Sequence, residues 1–315
     1  MSTSCPYCNA FKQAFDNNNY CSIHSPSGPQ GQGNTFYVKA GSLASGWHKS
    51  RMSFRTVLTG YQRYQLQEND RAAMVNADTY LMVNQGQEYC NEIDPFTGAE
   101  SLVVAFREDL LSEVWTKSTA GWSYALDDET QGLDHQEIAF YNTSYQVTAP
   151  MRRTLSHLKE GVLHGTSNAL FYDELHYELA EALIKNHFHA LSLTNDFNLV
   201  KKSTRMETFR RLNYARDFMM ANFHLKLDLQ AISKEGAMSP YHFLKAFKAV
   251  YKKTPLEFLT QERLQYAQHL MRYTDLPVSH VTTKSGFENT SSFIRLFKRS
   301  SGMTPKQYRM SYQES

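Results

Sequence analysis

The strongest constraint on this 315-residue chain is a repeat, offset by 50 residues, close to its C-terminus. Laid on Val281–Tyr308 without a gap, Ala231–Phe258 gives seven identities in 28 positions. They are Lys234/Lys284, Gly236/Gly286, Phe243/Phe293, Phe247/Phe297, Lys248/Lys298, Thr254/Thr304 and Pro255/Pro305. The similar pairs Ala231/Val281, Ser233/Thr283, Leu244/Ile294, Lys245/Arg295 and Phe258/Tyr308 fall in the same frame. Glycine and Thr-Pro are strong punctuators of local structure, so their recurrence in one register implies a single structural unit used twice.

Each unit reads as two short helices around a tight turn. In the first, Leu227, Leu229 and Ile232 mark an amphipathic helix up to Glu235, and Gly236 is expected to end it in the left-handed conformation. Ser239 then serves as N-cap with Pro240 at the first helical position. In the second unit Gly286 is the expected turn, Asn289 or Thr290 the cap, and residues 291–300 the helix. Phe243, Ala246, Phe247 and Val250 recur at three and four residues and form an inward stripe, repeated by Phe293, Leu296 and Phe297. The opposite faces hold Tyr241, Leu244, Lys245 and Lys248, and Ser291, Ile294, Arg295 and Lys298. A short helix after a tight turn, with cations and hydrogen-bonding groups facing out, suits the DNA major groove.

Charge agrees. The chain has 33 basic and 31 acidic residues, a formal net charge of only +2. Residues 1–199 hold 13 basic and 22 acidic residues (−9), whereas residues 200–315 hold 20 and 9 (+11). Such asymmetry points to a nucleic-acid or membrane-surface contact made by one half alone.

The motifs Ser285-Gly286-Phe287, Phe293, Phe297-Lys298 and Gly302-Met303-Thr304-Pro305, followed by Tyr308-Arg309, resemble the DNA-binding domain of AraC/XylS transcription regulators. Glu262-Arg263-Leu264-Gln265-Tyr266-Ala267 resembles the helix that joins the two units in that family. The resemblance covers about Met206–Met310. It implies double-stranded operator DNA and RNA polymerase as partners, with two recognition helices in successive major grooves. Carried over by position, Tyr241, Leu244 and Lys245, and Ser291, Ser292 and Arg295, would meet base edges. Lys248, Lys298, Ser239 and Asn289 would meet phosphates. Two departures stand out: Val281-Thr282-Thr283-Lys284 is more polar than the family's usual helix, and Ala237 occupies a place that often holds a larger residue. Both are expected to loosen scaffold packing without touching the outward faces.

The acidic half is read as α+β. Strand-like segments Phe36–Val38, Arg55–Leu58, Tyr80–Val83 and Leu102–Phe106 alternate with turn residues across 34–107. They suit a small antiparallel barrel, and Tyr80–Gly86 is loosely similar to a cupin strand and turn. The metal-binding histidines of catalytic cupins are missing, so a barrel that binds a small effector is expected, not an enzyme. Residues 108–195 turn helical: Leu155 and Leu158, then Leu175, Leu179 and Leu183, make an apolar stripe. The resemblance implies a homodimer interface on such a helix; packing onto the barrel is the competing use. His176, His187 and His189 read as structural or surface histidines. Thr194–Ser203 is the expected linker to a DNA-binding domain over 204–315.

Residues 1–33 form a separate element. Cys5-Pro6-Tyr7-Cys8 and Cys21-Ser22-Ile23-His24 present two knuckles twelve residues apart, whose donors Cys5, Cys8, Cys21 and His24 match a structural zinc ion. A thiol redox sensor, or a zinc thiolate that accepts alkyl groups from DNA, are the alternatives. Cys90 is a lone cysteine, read as buried and not reactive. The longest apolar run, Leu102–Phe106, is five residues, and no secretory signal is recognised, so a cytoplasmic protein without a membrane partner is expected.

Overall fold

The computed structural model describes residues 21–24, 33–67, 71–120, 140, 142–192 and 202–313. The N-terminal part is built on two antiparallel sheets. The larger contains β1 (Cys21–His24), β2 (Asn34–Ala40), β5 (Ser53–Gly60), β8 (Thr79–Val83), β10 (Ala99–Ala105) and β11 (Ser144–Gln146), in the order β1-β2-β10-β5-β8-β11. The smaller contains β3 (Leu43–Ala44), β4 (His48–Lys49), β6 (Gln62–Leu66), β7 (Arg71–Val75) and β9 (Glu88–Ile93), in the order β3-β9-β6-β7 with β4 also on β9. All four expected strand segments lie in the larger sheet, which also takes in β1 and β11 from either side of residues 34–107.

Alternation decides which face goes where. On β5, Val57 joins Tyr64, Leu66, Leu81, Val83 and Tyr89 in the core between the two sheets. Phe54, one step out of phase, belongs to a second core beneath the helices. Those helices are α1 (Leu110–Ala120), α2 (Ala149–Leu163) and α3 (Ala169–Ser192). Leu155, Leu158, Leu175, Leu179 and Leu183 are all buried in that second core. The leucine stripe is therefore used inside the chain: it covers the sheet and is not a free dimer face. His176 is buried and hydrogen-bonded to Thr35 Oγ1 at 2.8 Å, while His187 packs among the rings of Trp115, Phe140 and Tyr145. His189 has no described side chain.

The C-terminal part is helical: α4 (Lys202–Ala221), α5 (Leu229–Glu235), α6 (Pro240–Tyr251), α7 (Pro255–Tyr273), α8 (Val278–Lys284), α9 (Thr290–Ser301) and α10 (Pro305–Gln313). The expected linker falls on residues outside the described ones, except at the start of α4. Among the described residues no helix is long and apolar enough to cross a membrane.

The two parts meet on α4 and α7. Asp217 is buried, and its carboxylate accepts hydrogen bonds from Thr143 Oγ1 at 2.6 Å, Ser144 Oγ at 2.6 Å and Ser144 N at 2.9 Å. Its neighbour Arg216, also buried, pairs with Asp217 at 2.9 Å and donates to the Ser144 carbonyl. Tyr266 of α7 donates to Asp94 Oδ2 and packs edge-on against Tyr61. Lys284 Nζ lies 3.4 Å from the Phe96 ring centroid. Glu262 of α7 is pushed up to about 7 by burial at this junction; Asp78 adds to the shift, and Arg216 and Lys253 oppose it.

Candidate nucleic-acid interface

Both units form as a scaffold helix, a turn and a second, exposed helix. The caps explain the limits of the second helices. Ser239 Oγ accepts from His242 N at the start of α6, and Asn289 Oδ1 accepts from Ser292 N at 2.9 Å at the start of α9, so Asn289 is the cap and Thr290 the first helical residue. The Thr-Pro pairs open the helix after each unit. Thr254 and Glu257 form a capping box, and Thr304 repeats it with Gln307, whose Oε1 accepts from Thr304 N at 3.0 Å.

The turns differ from the gapless alignment. Gly236 has φ −82°, and the left-handed residue of the first turn is Ala237 at φ +48°. In the second turn Ser285 has φ −83° and Gly286 takes the left-handed role at φ +78°. The buried pairs on the scaffold helices are Ile232 and Ser233 on α5, and Val281 and Thr282 on α8. Ala237 thus corresponds to Gly286 at an offset of 49, while the second helices keep the offset of 50. One extra residue in the second turn absorbs the difference, so the identities Lys234/Lys284 and Gly236/Gly286 are not structural equivalents.

This shift assigns the two turns opposite mutational behaviour. A Cβ on Gly286 would stand 2.6 Å from the Phe223 carbonyl oxygen and 2.9 Å from Arg263 Nε, in a conformation that costs an L-residue about 1–2 kcal/mol. Gly286→Ala is expected to destabilise the domain by about 1–3 kcal/mol, and Ala237→Gly to stabilise it by about 0.5–1 kcal/mol. Paired urea melts check both, and equal signs would remove the register correction.

Packing separates the faces as the periodicity implies. Phe243, Ala246, Phe247, Val250, Phe293 and Phe297 are buried in one core with α7, and Leu296 is half-buried against it. The polar segment of α8 does not loosen that core: Thr282 is buried and its hydroxyl donates to the Val278 carbonyl at 2.8 Å. Outside, Tyr241 is 79% exposed, and Lys245, Lys248, Ser291, Arg295 and Lys298 are exposed. Leu244 and Ser292 are half-buried, and Ile294 packs on the core. Arg295 Nη2 lies 3.3 Å from Ser292 Oγ, so these two form one polar patch. Ser239 and Asn289 already spend their side chains on the helix starts.

The structure adds two residues to the outward set. His242 is exposed beside Tyr241, and Arg299 is exposed one turn beyond Arg295 on the same face. The i, i+4 spacing of Arg295 and Arg299 was the available signal. The scaffold clamp is Arg263 of α7, which donates from Nε to the Phe223 carbonyl and from Nη2 to the Leu225 carbonyl, both at 2.7 Å. It ties the joining helix to the segment after α4 and backs onto Gly286. Of the cysteine and histidine cluster, Cys5 and Cys8 lie outside the described residues, and Cys21 and His24 are described by backbone alone, paired to Ala40 and Tyr37 across β1–β2. Cys90 is half-buried on β9, where burial raises its thiol pKa.

Two capped helix-turn-helix units joined by one long helix define a class of nucleic-acid-binding domain. The helix-turn-helix family model matches residues 232–311, and the C-terminal part is an AraC-type helix-turn-helix domain. The chain is similar to the "Uncharacterized HTH-type transcriptional regulator YdeC" of Bacillus subtilis (28% identity over 117 residues; 37% of this chain, 40% of the relative). It is also similar to the "MmsAB operon regulatory protein" of Pseudomonas aeruginosa (28% over 92 residues; 29% and 30%). Less than half of either relative's length is spanned. Among solved structures, the DNA-binding domain of AdpA in complex with a target DNA matches with 25% identity and TM-score 0.32, over 33% of this chain and 93% of that one. ToxT from Vibrio cholerae matches over 93% of this chain and 97% of that one, with 10% identity and TM-score 0.35.

Proposed function

We propose that the protein is a sequence-specific DNA-binding transcription regulator whose two exposed helices, α6 and α9, enter successive major grooves of one duplex. The observation that carries this reading is the pair of exposed, cation-bearing helix faces, each following a capped turn and held by a single joining helix. Such units read grooves one helical turn apart, about 34 Å. Tyr241, Lys245, Ser291 and Arg295 reach base edges, with Leu244 and Ser292 at their margins. Lys248 and Lys298, one turn further along, neutralise phosphates. The capping bonds of Ser239 and Asn289 leave their backbone surroundings, and not free side chains, to face the phosphates.

Arg295 can bridge the O6 and N7 acceptors of guanine. Arg295→Ala is expected to cost about 1–3 kcal/mol at the specific site and to relax preference at one base pair. Lys298→Ala is expected to weaken all sequences alike and to reduce the salt slope by about one unit. A footprinted genomic site, titrated against salt and against single-base variants, checks both. Identical behaviour of the two variants would overturn the assignment of roles.

The N-terminal part is read as the sensor. Its support is the buried polar junction at Thr143, Ser144, Arg216 and Asp217, which ties the larger sheet to α4 and gives effector binding a physical route to the DNA-binding helices. An effector that favours one arrangement of this junction shifts DNA affinity by its differential binding. Recruitment of RNA polymerase and self-association belong to the same proposal.

A further inference from the structure

The space between the two sheets contains a charge that no carboxylate among the described residues balances. Arg55 of β5 faces inward in phase with Val57 and is only 4% exposed. Among the described residues it has no carboxylate partner. Its hydrogen bonds are two, both 3.2 Å: Nε to Ser53 Oγ and Nη2 to Ser50 Oγ. That engages two of five guanidinium N–H groups. The guanidinium stacks over the Tyr89 ring at 4.0 Å and lies 5.8 Å from the Tyr64 ring centroid. Tyr64 is fully buried, and its hydroxyl and the carbonyl oxygen of the buried Asn91 side chain interact with each other and with Arg55 without reaching hydrogen-bond geometry to any group among the described residues. Buried cations are ordinarily paired, and buried polar atoms ordinarily hydrogen-bonded. A cation and two polar side chains left incomplete at one place in the interior describe a site built for a ligand.

We propose that this interior site binds a small organic monoanion through its carboxylate, with Arg55 supplying the charge and the Tyr64 hydroxyl a further hydrogen bond. Charge count selects the class. One cation among neutral donors is balanced by one negative charge, whereas a phosphate dianion would leave a net charge buried. The guanidinium plane also matches a carboxylate. The segment that carries Ser50 borders the site. It is held to β9 through the two-residue strands β3 and β4 and through bonds such as Ser45 N to the Asn91 carbonyl and Ser50 N to the Gln87 carbonyl, both 2.9 Å. The inference rests on the sensor reading of the N-terminal part for its consequence, though not for the binding itself.

The test uses the full chain with sodium acetate as probe, against sodium chloride and sodium phosphate at matched ionic strength. Thermal unfolding and calorimetric titration are expected to show saturable acetate binding with half-saturation in roughly the millimolar range, as suits so small a ligand. Tyr64→Phe is expected to raise the half-saturating concentration about two- to tenfold, and Arg55→Met to abolish saturation. Absence of saturable acetate binding, full binding by Arg55→Met, or a larger response to phosphate overturns the proposal. If Arg55→Met does not fold, Tyr64→Phe and Arg55→Lys decide: unchanged acetate affinity in both overturns it. DNA affinity is measured separately with and without acetate; binding to the protein without any effect on DNA leaves the site standing and removes the sensor reading instead.

Discussion

Asp217→Ala is expected to destabilise the protein by about 3–5 kcal/mol, because it leaves the buried Arg216 guanidinium without its counter-charge. The same change removes the acceptor for two hydroxyls and one backbone N–H of Thr143 and Ser144. Arg216 also lies over the Tyr251 ring at 5.6 Å, and Tyr251 donates to Asn213 Oδ1 at 3.0 Å, so the loss is felt at the C-terminal end of α6. Urea denaturation should show the lowered midpoint, and limited proteolysis should show loss of the full-length chain at lower protease concentration. A loss below about 1 kcal/mol, the level of an exposed ion pair, would mean that this junction does not hold the two parts together.

Phe297→Ala is expected to cost a similar 3–5 kcal/mol, by lost transfer energy and the cavity left behind. Phe297 is fully buried, 5.5 Å from the Phe293 ring and edge-on to Tyr308 at 5.4 Å. The effect on DNA differs from that of Arg295→Ala. With α9 unseated, affinity should fall for every sequence, whereas Arg295→Ala leaves the fold intact and changes preference at one position. Urea melts and binding to specific and unrelated duplexes separate the two. A Phe297→Ala protein with wild-type stability would contradict its place in the core.

Much of the DNA-binding domain was legible from residue spacing because its contacts are local. Caps, Thr-Pro starts and the three-and-four spacing of phenylalanines act within one or two helical turns, so composition and order report them directly. The turns were legible in kind and not in register. An ungapped alignment sets Gly236 on Gly286, but helix length and burial place Ala237 there instead. The leucines of α2 and α3 show the same limit: their stripe was plain, but whether it meets a partner chain or its own sheet depends on which surface the strands leave uncovered.

The sequence by itself determined that the C-terminal part contains a helix-turn-helix unit used twice, which helix faces are buried, and that positive charge gathers in that part. These follow from periodicity and from side chains acting on their near neighbours. Only the tertiary structure decided that Asp217 meets Ser144, 73 residues away, that Arg263 clamps the segment beneath Gly286, and that Arg55 stands buried without a carboxylate partner among the described residues. A charged residue in a strand looks alike in sequence whether it faces water or the interior. Its environment is set by strands distant along the chain, and burial turns an ordinary arginine into a demand for a counter-charge.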